Sequence, residues 1–181
     1  MWGWDVWGHN AYKFPTLQSG GRYWNGFQKW AKQNGLDQNE SAHVWQMISQ
    51  ARKYGTNKVG SATNCRKEVA GIKKDVEHFK GQGYSLVTKS YGYGPNHRWG
   101  VDLVFEEATR KGSIFHIVEA KGYRMNSIFG NWTLSNGVGN ASWTMVRLRK
   151  SANAGNIDSL SLLNNPNNRC YTSFRDASHA W

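Results

Sequence analysis

Cysteine is nearly absent. Cys65 and Cys170 are the only two in 181 residues, and neither stands in a CxxC or Cys/His spacing. That count excludes a disulfide-stapled scaffold, and the spacing argues against a zinc site. Two free thiols are expected, with one long-range bridge as the alternative. Long apolar runs are missing too: the longest, Ile114 to Val118, is broken by His116, whereas a membrane helix needs about 20 apolar residues. The opening Met1-Trp2-Gly3-Trp4-Asp5 has neither a basic nor an apolar stretch, so no secretory leader is expected. Acidic residues are scarce, 12 against 23 Lys plus Arg, for a net charge of +11 and a pI of about 9.8. Such an excess points to an anionic partner, the plainer alternative being a soluble basic surface.

What is present begins with enough apolar residue, 39%, to bury a core without staples. The few acids are unevenly placed. Residues 1–60 hold 7 basic and 3 acidic side chains, 61–121 hold 10 and 7, and 122–181 hold 6 and 2. Acids gathered in the middle of a basic chain suggest a metal site facing a polyanion. One domain with an N-terminal extension is expected, divided as a Trp-rich helical extension over 1–60 and the main domain over 61–181.

The extension carries Trp2, Trp4, Trp7, Trp24 and Trp30. Indoles could stack unpaired bases, but without regular spacing an aromatic layer or interface is the expectation. Asp37-Gln38-Asn39-Glu40 reads as a capping box, opening a helix to Tyr54 with Val44, Met47, Ile48 and Ala51 inward. A loop over 55–64 follows, then a helix capped by Asn64 and running to about Lys80, with Val69, Ile72, Val76 and Phe79 inward. Tyr84 to Thr88 is a short strand. Trp99 to Glu106 and Ser113 to Lys121 are two longer strands, joined by Ala108-Thr109-Arg110-Lys111-Gly112 as a hairpin. A helix from Ser142 to about Ala152 is expected, and beyond it only Leu160, Leu162 and Leu163 offer an apolar anchor.

The hairpin carries the chemistry. Period-two geometry puts residues 115, 117, 119 and 121 on one face, so Glu119 and Lys121 project together from the end of an apolar strand. In the preceding strand Val101, Leu103 and Phe105 are expected on one face, and Asp102 and Val104 on the other. Antiparallel pairing can bring Asp102 next to Glu119. Acids within apolar strands are costly to bury without a partner, and two converging carboxylates repel. A Mg²⁺ ion resolves that repulsion, since it takes one or two carboxylates and completes its shell with water and phosphate oxygens. Such an ion polarises a phosphodiester and lowers the pKa of water, while Lys121 positions the water or steadies developing charge. The alternative is a cross-strand acid–lysine pair that only decorates a sheet.

Trp99-Gly100-Val101-Asp102-Leu103-Val104-Phe105, a turn, and Ile117-Val118-Glu119-Ala120-Lys121-Gly122 together resemble the PD-(D/E)xK, or restriction-endonuclease-like, superfamily. More narrowly, they are similar to the C-terminal nuclease domains of bacterial polymorphic toxins, of the contact-dependent inhibition and Rhs types. The resemblance covers about residues 64 to 122. It implies an α/β fold with an α/β/α core around a mixed sheet, a Mg²⁺ or Mn²⁺ requirement, and phosphodiester cleavage by Asp102, Glu119 and Lys121. Such families often add an acid from the preceding helix. Glu68 is the best match and Asp75 the fallback, so the implied metal ligands are Asp102, Glu119 and Glu68. Val101 stands where the superfamily's name has proline.

The resemblance also implies delivery within a larger toxin, action in the cytoplasm of a target cell, and an acidic cognate immunity protein. DNA is the favoured substrate; RNA or tRNA cleavage on the same fold, or a non-catalytic nucleic-acid-binding module, are the alternatives. Arg147, Arg149 and Lys150 on the later helix are candidate phosphate contacts, with a solvated basic face as the other reading. His116 falls on the opposite face from Glu119 and is expected to be a hydrogen-bonded structural residue. His97, in a glycine-rich loop, is expected to be solvated.

Overall fold

The computed structural model describes residues 22–55, 61–89, 100–123, 138–139 and 142–176. Three helices come first, α1 (Arg22–Gln33), α2 (Gln38–Gly55) and α3 (Ser61–Gly81). The capping box forms as expected: Glu40 N–H donates to Asp37 Oδ1 at 2.8 Å, and Asp37 N–H to Glu40 Oε2 at 3.0 Å. Glu40 does more than cap. Its buried carboxylate also accepts from Lys80 Nζ at 2.9 Å, near the end of α3, and from the Leu86 N–H at 3.1 Å. One carboxylate thereby joins the start of α2, the end of α3 and the first strand. α3 begins at Ser61, three residues before the expected cap, so Asn64 lies within the helix. It ends where Gly83 takes φ 84, letting Tyr84 N–H reach Phe79 O at 3.1 Å and turning the chain toward the sheet.

The sheet has the order β1-β2-β3-β5-β4. Its strands are β1 (Ser85–Leu86), β2 (Leu103–Thr109), β3 (Gly112–Tyr123), β4 (Val138–Gly139) and β5 (Asn168–Asp176). β2 and β3 form the expected antiparallel hairpin, Thr109 pairing Gly112 across Arg110-Lys111. β3 and β5 run parallel. Parallel neighbours need a long crossover, which here includes α4 (Ser142–Asn153) and α5 (Ile157–Leu163). β5 was not expected. Its run Cys170-Tyr171-Thr172-Ser173-Phe174 does have β-forming composition, but it is short and bounded by Asn-rich sequence.

The fold is therefore α/β, with a mixed sheet between two helical layers. On one face, Val69, Ile72, Val76 and Phe79 of α3 cover Leu103, Phe105, Val118 and Ala120. Phe27 and Trp30 of α1 and Val44, Trp45, Met47 and Ile48 of α2 belong to this same cluster, so the first helices share the core of the sheet domain. Trp24 and Trp45 meet edge to face at 4.9 Å, the aromatic layer rather than a stacking platform. Trp2, Trp4 and Trp7 lie outside the described residues. On the other face Leu148 of α4 and Leu162 of α5 cover Val101, Val104 and Ile117. Leu160, expected as an anchor, is exposed. Cys170 is a free thiol 3.0 Å from Met145 Sδ, and burial raises its pKa to about 11, which favours the protonated thiol over the nucleophilic thiolate. The side chains of Ala51 and Cys65 and all of His97 lie outside those described. Among the described residues no helix is long and apolar enough to cross a membrane.

Candidate active site

The site is assembled where β2 begins. The strand opens at Leu103 rather than Trp99, so Asp102 sits in the bend just before it. That bend corrects the expected alternation: Val101 belongs with Val104 and Ile117 on the α4 face, not with Leu103 and Phe105. It also gives Asp102 a structural task. Buried backbone N–H groups must be paired, and the Ala120 N–H of β3, past the end of the β2 ladder, donates to Asp102 Oδ2 at 2.8 Å. The register Leu103↔Val118 then sets Asp102 beside Glu119. Both are buried, Asp102 at 4% and Glu119 at 1% exposure.

Glu119 has the parity of Phe115 and Ile117, whose side chains lie in the α4–α5 layer. There it meets Arg147 of α4, with Nε 3.3 Å from Glu119 Oε2. The same Nε donates to the Gly100 carbonyl at 2.7 Å. Arg147 thus ties together the segment before β2 and the acid on β3. Thr144, one turn earlier on α4, donates to the Tyr171 carbonyl at 2.7 Å and holds the helix against β5. Lys121 continues β3 opposite Phe174 of β5, with its side chain outside those described.

The three basic residues expected to contact phosphate do not act as one group. Arg147 turns inward to Glu119, whereas Arg149 and Lys150 are exposed. The reason is helical phase: Leu148 faces the sheet, Arg147 flanks it, and the next two positions rotate outward.

The acids of α3 approach from the other side of the sheet. Asp75 is fully buried and accepts from Ser173 Oγ at 2.5 Å; Ser173 is the β5 partner of Ala120. Phe79 lies against His116, so α3 runs antiparallel to β3. Glu68, half-buried, precedes Asp75 by two turns, about 10 Å of helix, toward the end of β3 that carries Lys121. Among the described residues no group of three His, Cys, Asp or Glu side chains is gathered closely enough to hold a metal. Neither Glu68 nor Asp75 therefore joins Asp102 and Glu119 as a third ligand in this arrangement. Asp102 and Glu119 remain, adjacent in the strand register, and two carboxylates are a donor set that Mg²⁺ or Mn²⁺ accepts when water and phosphate complete the shell.

His116 is structural, as its parity suggested. Nε2 lies 2.8 Å from Glu107 Oε2 and Nδ1 lies 3.2 Å from the Tyr171 hydroxyl. Its ring stacks on Tyr84, with centroids 4.8 Å apart, and on Tyr171, at 5.7 Å. No protein-family model, curated protein or solved structure matches this chain, so its chemistry is read from its own residues.

Proposed function

We propose that this chain is a metal-dependent nuclease that hydrolyses phosphodiester bonds, built on a restriction-endonuclease-like core and serving as the effector domain of an interbacterial toxin. One observation carries the reading. The hairpin register, extended by one residue past Leu103↔Val118, sets the buried residues Asp102 and Glu119 side by side, with Lys121 two residues further along the same strand. The layering of α3, mixed sheet and α4–α5 supports it, since that is the architecture the sequence resemblance implies.

A Mg²⁺ or Mn²⁺ ion held by Asp102 and Glu119 would supply Lewis acidity toward the phosphodiester and a lowered pKa for water. Lys121 orients that water or steadies charge on the phosphate. Arg149 and Lys150 offer exposed positive charge to the nucleic-acid backbone. DNA is the favoured substrate. An acidic immunity protein would protect the producing cell by covering this basic surface, opposite charge giving fast and selective association; the nuclease itself acts in the cytoplasm of the target cell.

The deciding experiment incubates the protein with supercoiled plasmid and with total RNA, in Mg²⁺ and in EDTA. Plasmid nicking that requires Mg²⁺ is the expected result. RNA loss with intact plasmid would move the reading to an RNA-cleaving toxin. Binding without cleavage of either would leave a nucleic-acid-binding module.

A further inference from the structure

Two positively charged groups cannot both occupy the same carboxylate at close range without repelling each other. Arg147 already stands at Glu119, 3.3 Å from Oε2, and is braced from behind by its 2.7 Å bond to the Gly100 carbonyl. Glu119 is 1% exposed, so bulk water does not compensate the charge on that carboxylate. Arg147 acts on its Oε2 through charge rather than through a hydrogen bond, because the single Nε hydrogen is given to Gly100. Arg147 itself is only half-buried, which leaves its side chain a route outward. Arginine does not deprotonate in proteins, so this charge can be moved but not removed.

We infer that Arg147 is a built-in counter-cation of the site, holding Glu119 in the metal-free protein and competing with the divalent ion for it. The inference rests on the proposed metal-dependent reading and adds a regulatory element to it. Binding of the ion at Asp102 and Glu119 weakens the Arg147–Glu119 contact. The guanidinium, still anchored on α4 beside the site, becomes available to a phosphate oxygen. Metal and arginine are thus linked by a negative coupling, which must act equally in both directions. Metal affinity is held down until substrate draws Arg147 away, so nucleic acid and metal should bind cooperatively.

The test measures Mn²⁺ binding directly, by the loss of the free-ion electron paramagnetic resonance signal, in the wild-type chain, Arg147→Gln, Arg147→Lys and Glu119→Gln/Arg147→Gln. Removing the competing charge should tighten Mn²⁺ binding in Arg147→Gln by at least about fivefold. Arg147→Lys, which keeps the charge, should stay within about twofold of wild type. In the Glu119→Gln background the Arg147→Gln change should have no such effect. Equal or weaker binding by Arg147→Gln, with wild-type binding intact, would overturn the inference while leaving the nuclease reading standing. A purely structural Arg147 gives that second result, because loosening Gly100 would degrade the site. Failure of every form to bind Mn²⁺ would overturn both. Should Arg147→Gln not fold, the wild-type protein answers alone: Mg²⁺ should shift the Arg147 Nε–H resonance, and an unmoved resonance would sink the proposal.

Discussion

His116 and Glu119 stand three residues apart on one apolar strand, on opposite faces of the sheet, and both are almost fully buried. From sequence alone each is an intrusion of polarity into a core. Their surroundings differ in kind. Each ring nitrogen of His116 has a partner, and two tyrosine rings lie nearly parallel to it, so the residue is fixed within one layer of the fold. Glu119 instead meets an arginine from a separate helix and stands in register beside Asp102, just before β2 begins. A polar group locked on all sides stabilises a fold. Glu119, facing a half-buried arginine and set beside Asp102 in the strand register, is where the proposed change of state would take place.

The sharpest way to break this contrast is to neutralise each residue in turn. Glu119→Gln should lower cleavage by roughly two to three orders of magnitude, because it removes half of the proposed metal donor set. Its urea midpoint should move little. Wild-type cleavage in that variant would end the proposed function. His116→Ala should do the reverse. Leaving Glu107 and Tyr171 without their imidazole partner is expected to cost about 2–3 kcal/mol in denaturant unfolding. Cleavage per folded molecule should survive, so an inactive yet fully stable His116→Ala protein would contradict its structural assignment.

A second histidine sharpens the comparison through pH. His43 of α2 has its pKa lowered by burial to about 4, so it stays neutral in the folded protein while the unfolded chain takes up a proton below about 6.5. The resulting loss of stability is absent above pH 6.5 and grows as pH falls from about 6.5 to about 4, reaching at most about 3 kcal/mol. His43→Gln should flatten that part of the stability–pH curve; an unchanged slope would place the acid sensitivity elsewhere. The smallest effect concerns the surface. In a Glu119→Gln background, replacing both Arg149 and Lys150 by Ala should reduce the salt dependence of DNA binding by up to about two units of slope. No change would return these residues to a solvated face.

Local signals were legible where the chemistry is local. The capping box at Asp37, the inward stripe of α3 and the β2–β3 hairpin follow from side chains within a few residues of one another, and all three are present. The register that sets Asp102 opposite Glu119 was also readable, because a two-residue turn fixes the pairing of everything that follows. The parity of His116 against Glu119 came from the same alternation. Asp102 in its bend was not readable, since alternation says nothing about where a strand starts.

What the sequence determined by itself, then, is the alternation, the turn and the pair of acids, because each depends on contacts short in sequence. Only the tertiary structure decided the rest. Whether the tail adds a strand depends on a parallel partner more than forty residues earlier, as in Ala120↔Ser173. Glu40 reads as a cap until Lys80 and Leu86 come to share its carboxylate. Arg147 reads as one of three surface cations until α4 crosses the sheet and lays it against Glu119. Long-range pairing is set by how whole elements stack, and no window of residues carries that information.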